Sequence, residues 1–343
     1  MHSLQLTCIF HGPFVFDEGD AARIYHALLP EQCIVAGVMG RTAAAASGLP
    51  LTCADAPPSA VINRMAGLCV LVNRGKTPAS GRRFGEIVAS RISGGLIHIE
   101  SSDQTVYLWN NADHGIAEEI CNRIGYRLVM LNSSREDEPE VRRICGCIPG
   151  EPVMVEGITI GYATAEEAVI SCKEGFLMPI SGIRLKLHGI EKLQAAGCPP
   201  LDRAWCKSGW IRTAAPENTR RFAPPCGRVQ IIDHAGISIY RLITPDTCGI
   251  LSIGDDTTAV CGHIGAVLGI PVFGITDGDG DEIIPQAYAP GSVIVAAISG
   301  TDDQLGPEIA ALLPEGDQIC WDDLVASLLK RSSDSIRVVR DLR

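Results

Sequence analysis

No apolar run in this 343-residue chain approaches the ~18 residues that a membrane-crossing helix needs, so no span is expected. The first residues, Met1-His2-Ser3-Leu4-Gln5-Leu6, lack the charged and apolar regions of an export signal, which makes the cytoplasm the expected compartment. Positive charge is also short. Lys and Arg number 29 against 40 Asp and Glu, a formal net charge of −11, and that balance disfavours a general binder of nucleic acid or of anionic membranes. Paired Cys-x2-Cys modules are missing, although the chain has 14 cysteines. Cys145 and Cys147 form a lone Cys-x-Cys pair, and Cys198, Cys206 and Cys226 follow at irregular gaps, so a cysteine metal centre is not expected. In a cytoplasmic setting the thiols should be mostly reduced. Cys8, Cys33, Cys69, Cys172, Cys248 and Cys261 sit inside apolar runs, where a thiol behaves as a small hydrophobe. There is no Gly-x-Ser-x-Gly elbow, no complete Rossmann fingerprint and no internal repeat.

What is present is ordinary globular composition, 46% hydrophobic and 20% charged, in a chain long enough for more than one core. Residues 1–135 alternate strand and helix in the manner of a doubly wound, mostly parallel sheet, a Rossmann-like α/β domain. Its expected strands are 4–10, 33–38, 68–72, 96–99, an edge strand at 106–109, and 126–131. The charged stretch 133–143 reads as a solvated linker. Residues 148–215 change to short β segments with glycine turns, a small β-rich domain ending in a proline- and arginine-rich segment that is hard to assign. Residues 226–343 form a third, α/β unit, expected to open with a hairpin of strands 228–232 and 237–243 around Asp233-His234-Ala235-Gly236.

Two acidic turns stand out in that last unit. Gly254-Asp255-Asp256-Thr257-Thr258 follows the apolar run 248–253, and Thr276-Asp277-Gly278-Asp279-Gly280-Asp281-Glu282 follows the run 270–275. Ala259, Val260, Ile264, Val267 and Leu268 recur between them at helical spacing. Strand, helix, strand is a parallel crossover, so both turns should emerge at one carboxyl edge, where open α/β sheets bind ligands. Asp255, Asp256, Asp277, Asp279 and Asp281 gathered there would repel one another unless a cation sat among them. Mg²⁺ or Mn²⁺ suits carboxylate and water oxygens, often together with a substrate phosphate. A calcium loop fails because Glu282 stands where glycine is needed and Tyr288 where glutamate should be. Haloacid-dehalogenase-like phosphatases would place their two acidic turns in the reverse chain order. Toprim domains, which pair one acid with Asp-x-Asp on another strand, are closer, although their first acid is usually glutamate. Asp302-Asp303 lies at a helix start after the apolar run 292–298, and there Asp302 reads as a helix cap.

Two turns of the first domain suit anions. Gly40-Arg41-Thr42 and Gly75-Lys76-Thr77 each place a cation and a hydroxyl after a strand and near a helix start, where backbone amides and the helix dipole attract phosphate. The second is no Walker loop, since Val70 stands where its first glycine should be. His11 and His234 are candidate acid–base residues, with His188 a weaker one.

Several of these motifs occur in a familiar order: His11-Gly12-Pro13, Gly40-Arg41-Thr42, Asn73-x-Gly75-Lys76-Thr77-x-x-Ser80-Gly81, His188-Gly189-x-Glu191-Lys192-Leu193, Gly254-Asp255-Asp256-Thr257-Thr258 and Gly274-Ile275-Thr276-Asp277-Gly278-Asp279. The chain resembles, over nearly its whole length, an uncharacterised family of methanogenic archaea. That resemblance implies an archaeal, cytoplasmic setting and transfers no activity. Members often carry an acidic residue where this chain has His263. From the residues themselves, the expectation is a Mg²⁺- or Mn²⁺-dependent enzyme acting on a nucleotide or other small phosphorylated metabolite. The alternatives are a non-catalytic nucleotide or anion sensor and, after it, a toprim-like nucleic-acid-processing protein.

Overall fold

A computed structural model of the chain describes residues 6–133, 140–195, 197–216, 221–234, 236–278, 280–314, 316 and 318–343. They form two compact units, residues 1–209 and 210–343.

The first unit is built on seven strands: β1 (Thr7–His11), β2 (Gln32–Ala36), β3 (Thr52–Ala54), β4 (Cys69–Asn73), β5 (Leu96–Glu100), β6 (Thr105–Trp109) and β7 (Arg127–Leu131). Their spatial order is β3-β2-β1-β4-β5-β6-β7. Neighbours run parallel except β5 and β6, which are antiparallel. Helices α1 (Phe14–Asp17), α2 (Asp20–Leu28), α3 (Val38–Ser47), α4 (Pro58–Ile62), α5 (Pro78–Ser90) and α6 (His114–Ile124) complete it. Successive residues of β1 enter different cores, as a sheet covered on both faces requires. Cys8 and Phe10 pack with Ile24, Val35 and Ile120, whereas Ile9 packs with Ile34, Leu71, Val88 and Trp109. The neighbours of β1 are β2 and β4, so the strand order reverses direction there. The expected edge strand at 106–109 is interior, because β7 pairs outside it.

The β-rich segment contains β8 (Val141–Cys145), β9 (Pro152–Val155), β10 (Ile158–Ala163), β11 (Glu167–Lys173), β12 (Phe176–Ser181), β13 (Ile183–Leu185), helix α7 (Leu187–Ala195) and β14 (Cys206–Ser208). Two small antiparallel sheets, β13-β10-β9-β14 and β12-β11-β8, enclose Val153, Val155, Ile160, Ala168, Ile170 and Leu177. Part of the expected linker is therefore ordered pairing: Arg143 of β8 lies opposite Val169. Residues 134–139 of that stretch lie outside the described residues.

The second unit contains β15 (Cys226–Asp233), α8 (Ile239–Leu242), β16 (Thr247–Ile253), α9 (Asp255–Leu268), β17 (Val272–Thr276), β18 (Val293–Ala297), α10 (Asp302–Ala310), β19 (Ile319–Cys320), α11 (Trp321–Arg331) and β20 (Ile336–Asp341). The sheet order is β19-β15-β16-β17-β18-β20, with β15 to β18 mutually parallel. Helix α9 lies close on one face: a methyl on Gly274 would come 2.3 Å from Thr258 Cγ2. The opposite face packs Leu251, Phe273, Ile275 and Val295 against Leu305, Trp321 and Leu328 of α10 and α11.

Two expectations fail here. The hairpin at 228–243 is a parallel crossover, with Gln230 opposite Ile250 and residues 239–242 helical. Ile239, Leu242 and Ile243 fit helical spacing while Ile237, Ile239 and Ile243 fit strand alternation, and so short an apolar run does not distinguish them. Cys226 and Cys320 form a disulfide across β15 and β19, so this pair departs from the reduced state expected of the thiols. Among the described residues no helix is long and apolar enough to cross a membrane.

Candidate metal centre

Four consecutive parallel strands deliver polar side chains to one edge. β15 ends at Asp233 and is followed by His234; β16 leads into Asp255 and Asp256 at the start of α9; β17 leads into Asp277; β18 leads into Asp302 and Asp303 at the start of α10. The strand ladder continues into these connections. The Gly254 N–H donates to the Ile275 carbonyl at 3.0 Å, and the His234 N–H to that of Ile253 at 3.2 Å. Gly254, with φ of 106°, makes the turn into α9, a conformation that favours glycine.

The two acidic turns bind each other through backbone. Asp255 accepts the N–H of Asp277 at 2.9 Å and of Gly278 at 3.1 Å, while Asp256 accepts the N–H of Asp281 at 3.0 Å. These bonds fix Asp255 and leave the Asp277 side chain at the exposed rim. One carboxylate oxygen each from Asp255, Asp277 and Asp302 lies within 4.8 Å of the others. A second group of the same span joins His234, Asp302 and Asp303. Asp302 belongs to both, and it is only 3% exposed.

The histidine is oriented by its neighbour. Its Nδ1 engages the Asp233 carboxylate, and its Nε2 lies 3.4 Å from Asp303 and 3.9 Å from Asp302. A carboxylate on one imidazole nitrogen, with the other directed at acidic groups, is the usual support of a metal-binding histidine. His234 reaches this position with a φ of 48°, a left-handed conformation that costs a non-glycine residue on the order of 1 kcal/mol.

The structure thus brings together Asp255 and Asp277, as the spacing predicts, and adds His234 to the same edge. Asp256 and Asp281 are joined by a backbone hydrogen bond and enter neither group of three. Asp279 lies outside the described residues. The assignment of Asp302 as a helix cap is corrected: the N-cap of α10 is Thr301, and Asp302 stands in the first turn with its Oδ1 accepting the Asp303 N–H at 2.8 Å. The signal was present in Asp302-Asp303 after an apolar strand, but its use required knowing that β18 runs parallel to β17.

The amino-terminal candidates fall at the switch point of the first sheet. Gly75 donates its N–H to the buried Glu100 carboxylate at 2.8 Å. Thr77 caps α5: its Oγ1 accepts the Ser80 N–H at 3.2 Å, and Ser80 Oγ accepts the Thr77 N–H at 3.0 Å. Lys76 pairs with Glu151 and reaches Ser208 Oγ at 3.1 Å. The Gly75-Lys76-Thr77 turn therefore directs its donors inward. Gly40 sits where a methyl would come 3.3 Å from the Gly12 backbone, so α3 lies close against the β1 exit; Arg41 and buried Thr42 follow in the same helix. His11 Nδ1 contacts the Ala36 carbonyl at 3.0 Å, and its ring stacks on Phe84. Burial lowers its pKa to about 4, with the Lys207 ammonium acting in the same direction. His188 lies on α7, with its Nδ1 3.9 Å from Glu191.

Residues 8–317 match the family described as uncharacterized protein conserved in archaea (DUF2117). The chain belongs to this family. An uncharacterized protein of Methanocaldococcus jannaschii is 30% identical over 358 residues, covering 97% of this chain and 98% of the relative. No solved structure matches the chain. The DUF2117 match includes every residue of the acidic edge, from Asp233 to Asp303.

Proposed function

We propose that this DUF2117 protein is a divalent-metal-dependent enzyme acting on a nucleotide or other small phosphorylated metabolite. The observation that supports this reading is the convergence of Asp255, Asp277 and Asp302 from three separate strand ends to within 4.8 Å. Carboxylates that close repel one another, and a divalent cation both removes that repulsion and offers open positions to phosphoryl oxygens. The cation would stabilise charge developing on those oxygens during transfer or hydrolysis. His234, held by Asp233, adds a nitrogen donor in reach of Asp302, which favours Mn²⁺ over Mg²⁺ because Mg²⁺ prefers oxygen ligands.

The test is phosphate release from a panel of nucleotides and sugar phosphates, with Mn²⁺, with Mg²⁺ and with chelator. Release should need metal and fall at least about 100-fold in Asp302→Asn and in Asp277→Asn. Metal-independent turnover, or turnover unaffected by both substitutions, would contradict the proposal. A second reading draws on the backbone bonds of Asp255 and Asp256, which also fit turns that merely fasten the loops of an anion sensor. It expects ligands from the same panel to raise the melting temperature equally with and without metal, and to remain intact.

A further inference from the structure

The carboxyl edge of the first unit's sheet carries a separate group of charges that the acidic centre does not use. Lys207, on β14, is half-buried, with its Nζ 5.5 Å from the centre of the Phe14 ring, just past the His11-Gly12-Pro13 turn that leaves β1. The neighbouring cation is Lys76 from the β4–α5 turn, and the carboxylate beside them is Glu151. That carboxylate is already committed: it pairs with Lys76 and accepts the Ile148 N–H at 2.9 Å. Among the described residues no carboxylate lies within ion-pair distance of Lys207. Two ammonium groups thus share one carboxylate at a partly desolvated place, an arrangement that lacks one negative charge.

This place coincides with the switch point of the sheet, between the carboxyl ends of β1 and β4, where open α/β sheets bind their ligands. Gly37, at φ of 85°, packs where a methyl would come 3.3 Å from the His11 ring, and it begins the ten-residue helix α3 without a side-chain cap. We propose that this place at the switch point binds a small oxyanion, the phosphoryl or carboxyl group of a metabolite, with Lys207 as its counterion beside the His11-Gly12-Pro13 turn. Lys207 thus takes the role that the sequence suggested for Lys76, whose charge is answered by Glu151. Burial and the adjacent Lys76 charge lower the Lys207 pKa to about 8. The inference stands independently of the metal proposal.

Isothermal titration of the full chain at pH 7 in the presence of chelator provides the test, with inorganic phosphate in one arm and malonate in the other. The arm that binds identifies phosphoryl or carboxyl as the preferred group. One of them should bind with a Kd of about 1 mM or tighter. Lys207→Met should weaken that binding at least tenfold while melting at or above the wild-type temperature, Lys207→Arg should restore it, and Asp302→Asn should leave it unchanged. In wild-type protein the same anion should slow acetylation of Lys207 by acetic anhydride several-fold, read by mass spectrometry. Absence of binding by both anions, equal affinity in Lys207→Met, or acetylation indifferent to the anion would overturn the proposal.

Discussion

Two histidines, His11 and His98, have their pKa lowered by burial and so contribute to the acid response of the protein. His98 is fully buried beneath α5, so close that a methyl on Gly85 would come 2.1 Å from its Nδ1. Burial lowers its pKa to about 3, and burial likewise holds His11 near 4. An unfolded histidine binds its proton below about 6.5, so the unfolded chain gains protons as pH falls while the folded chain does not. Stability contributed by the neutral rings is therefore present above that value and is lost as pH falls toward 3. Glu100, whose pKa burial raises, works in the opposite sense where it titrates, so the informative quantity is a difference between variants. Between pH 6 and 4, chemical denaturation should give wild-type protein a slope steeper than that of His98→Asn by up to about 1.4 kcal/mol per pH unit. Equal slopes would show that His98 takes up its proton in the folded state. None of this was legible in the sequence, where His98 is one residue of an apolar strand. Asp255 and Asp277 were legible because each follows an apolar run and precedes or follows a helix with clear spacing. Asp302 was hidden by its equal fitness as a first-turn helix residue.

At the scale of elements, periodicity identified those with one strong signal and failed where two signals competed. Helix α9 follows the spacing read from Ala259, Val260 and Ile264, all of them buried. The segment after β15 satisfied both strand and helix spacing, and the parallel pairing of β15 with β16 decided it. The Gly75-Lys76-Thr77 turn shows a similar competition between phosphate cradle and helix cap. Its bonds to Glu100 and Ser80 assign Thr77 to capping, and this has a measurable consequence. Thr77→Ala should lower stability by about 1 kcal/mol, the usual value of such a cap, and Thr77→Ser should restore most of it. Phosphate affinity, measured on the same proteins, should change little. A loss of phosphate binding without loss of stability would instead make Thr77 a ligand.

Across the whole molecule, the sequence foretold alternating strands and helices at both ends and short β segments between them. It could not foretell the order of strands, because that order is set by pairings distant in sequence. Strand order is also what makes the acidic edge: β15, β16, β17 and β18 lie side by side and parallel, so four connections open in the same direction. The Cys226–Cys320 disulfide spans 94 residues of sequence and closes most of this unit into one loop around the sheet. The same unit carries His234, Asp255, Asp277 and Asp302 just past the ends of its neighbouring parallel strands. We propose that this edge holds a divalent ion. Electron paramagnetic resonance of Mn²⁺ titrated into the full chain measures it directly. The free-ion signal should diminish with saturable binding in wild-type protein, and affinity should fall at least about tenfold in Asp302→Asn, which removes the carboxylate common to both groups of three. A signal indistinguishable from Mn²⁺ in buffer, or equal affinity in Asp302→Asn, would contradict the account.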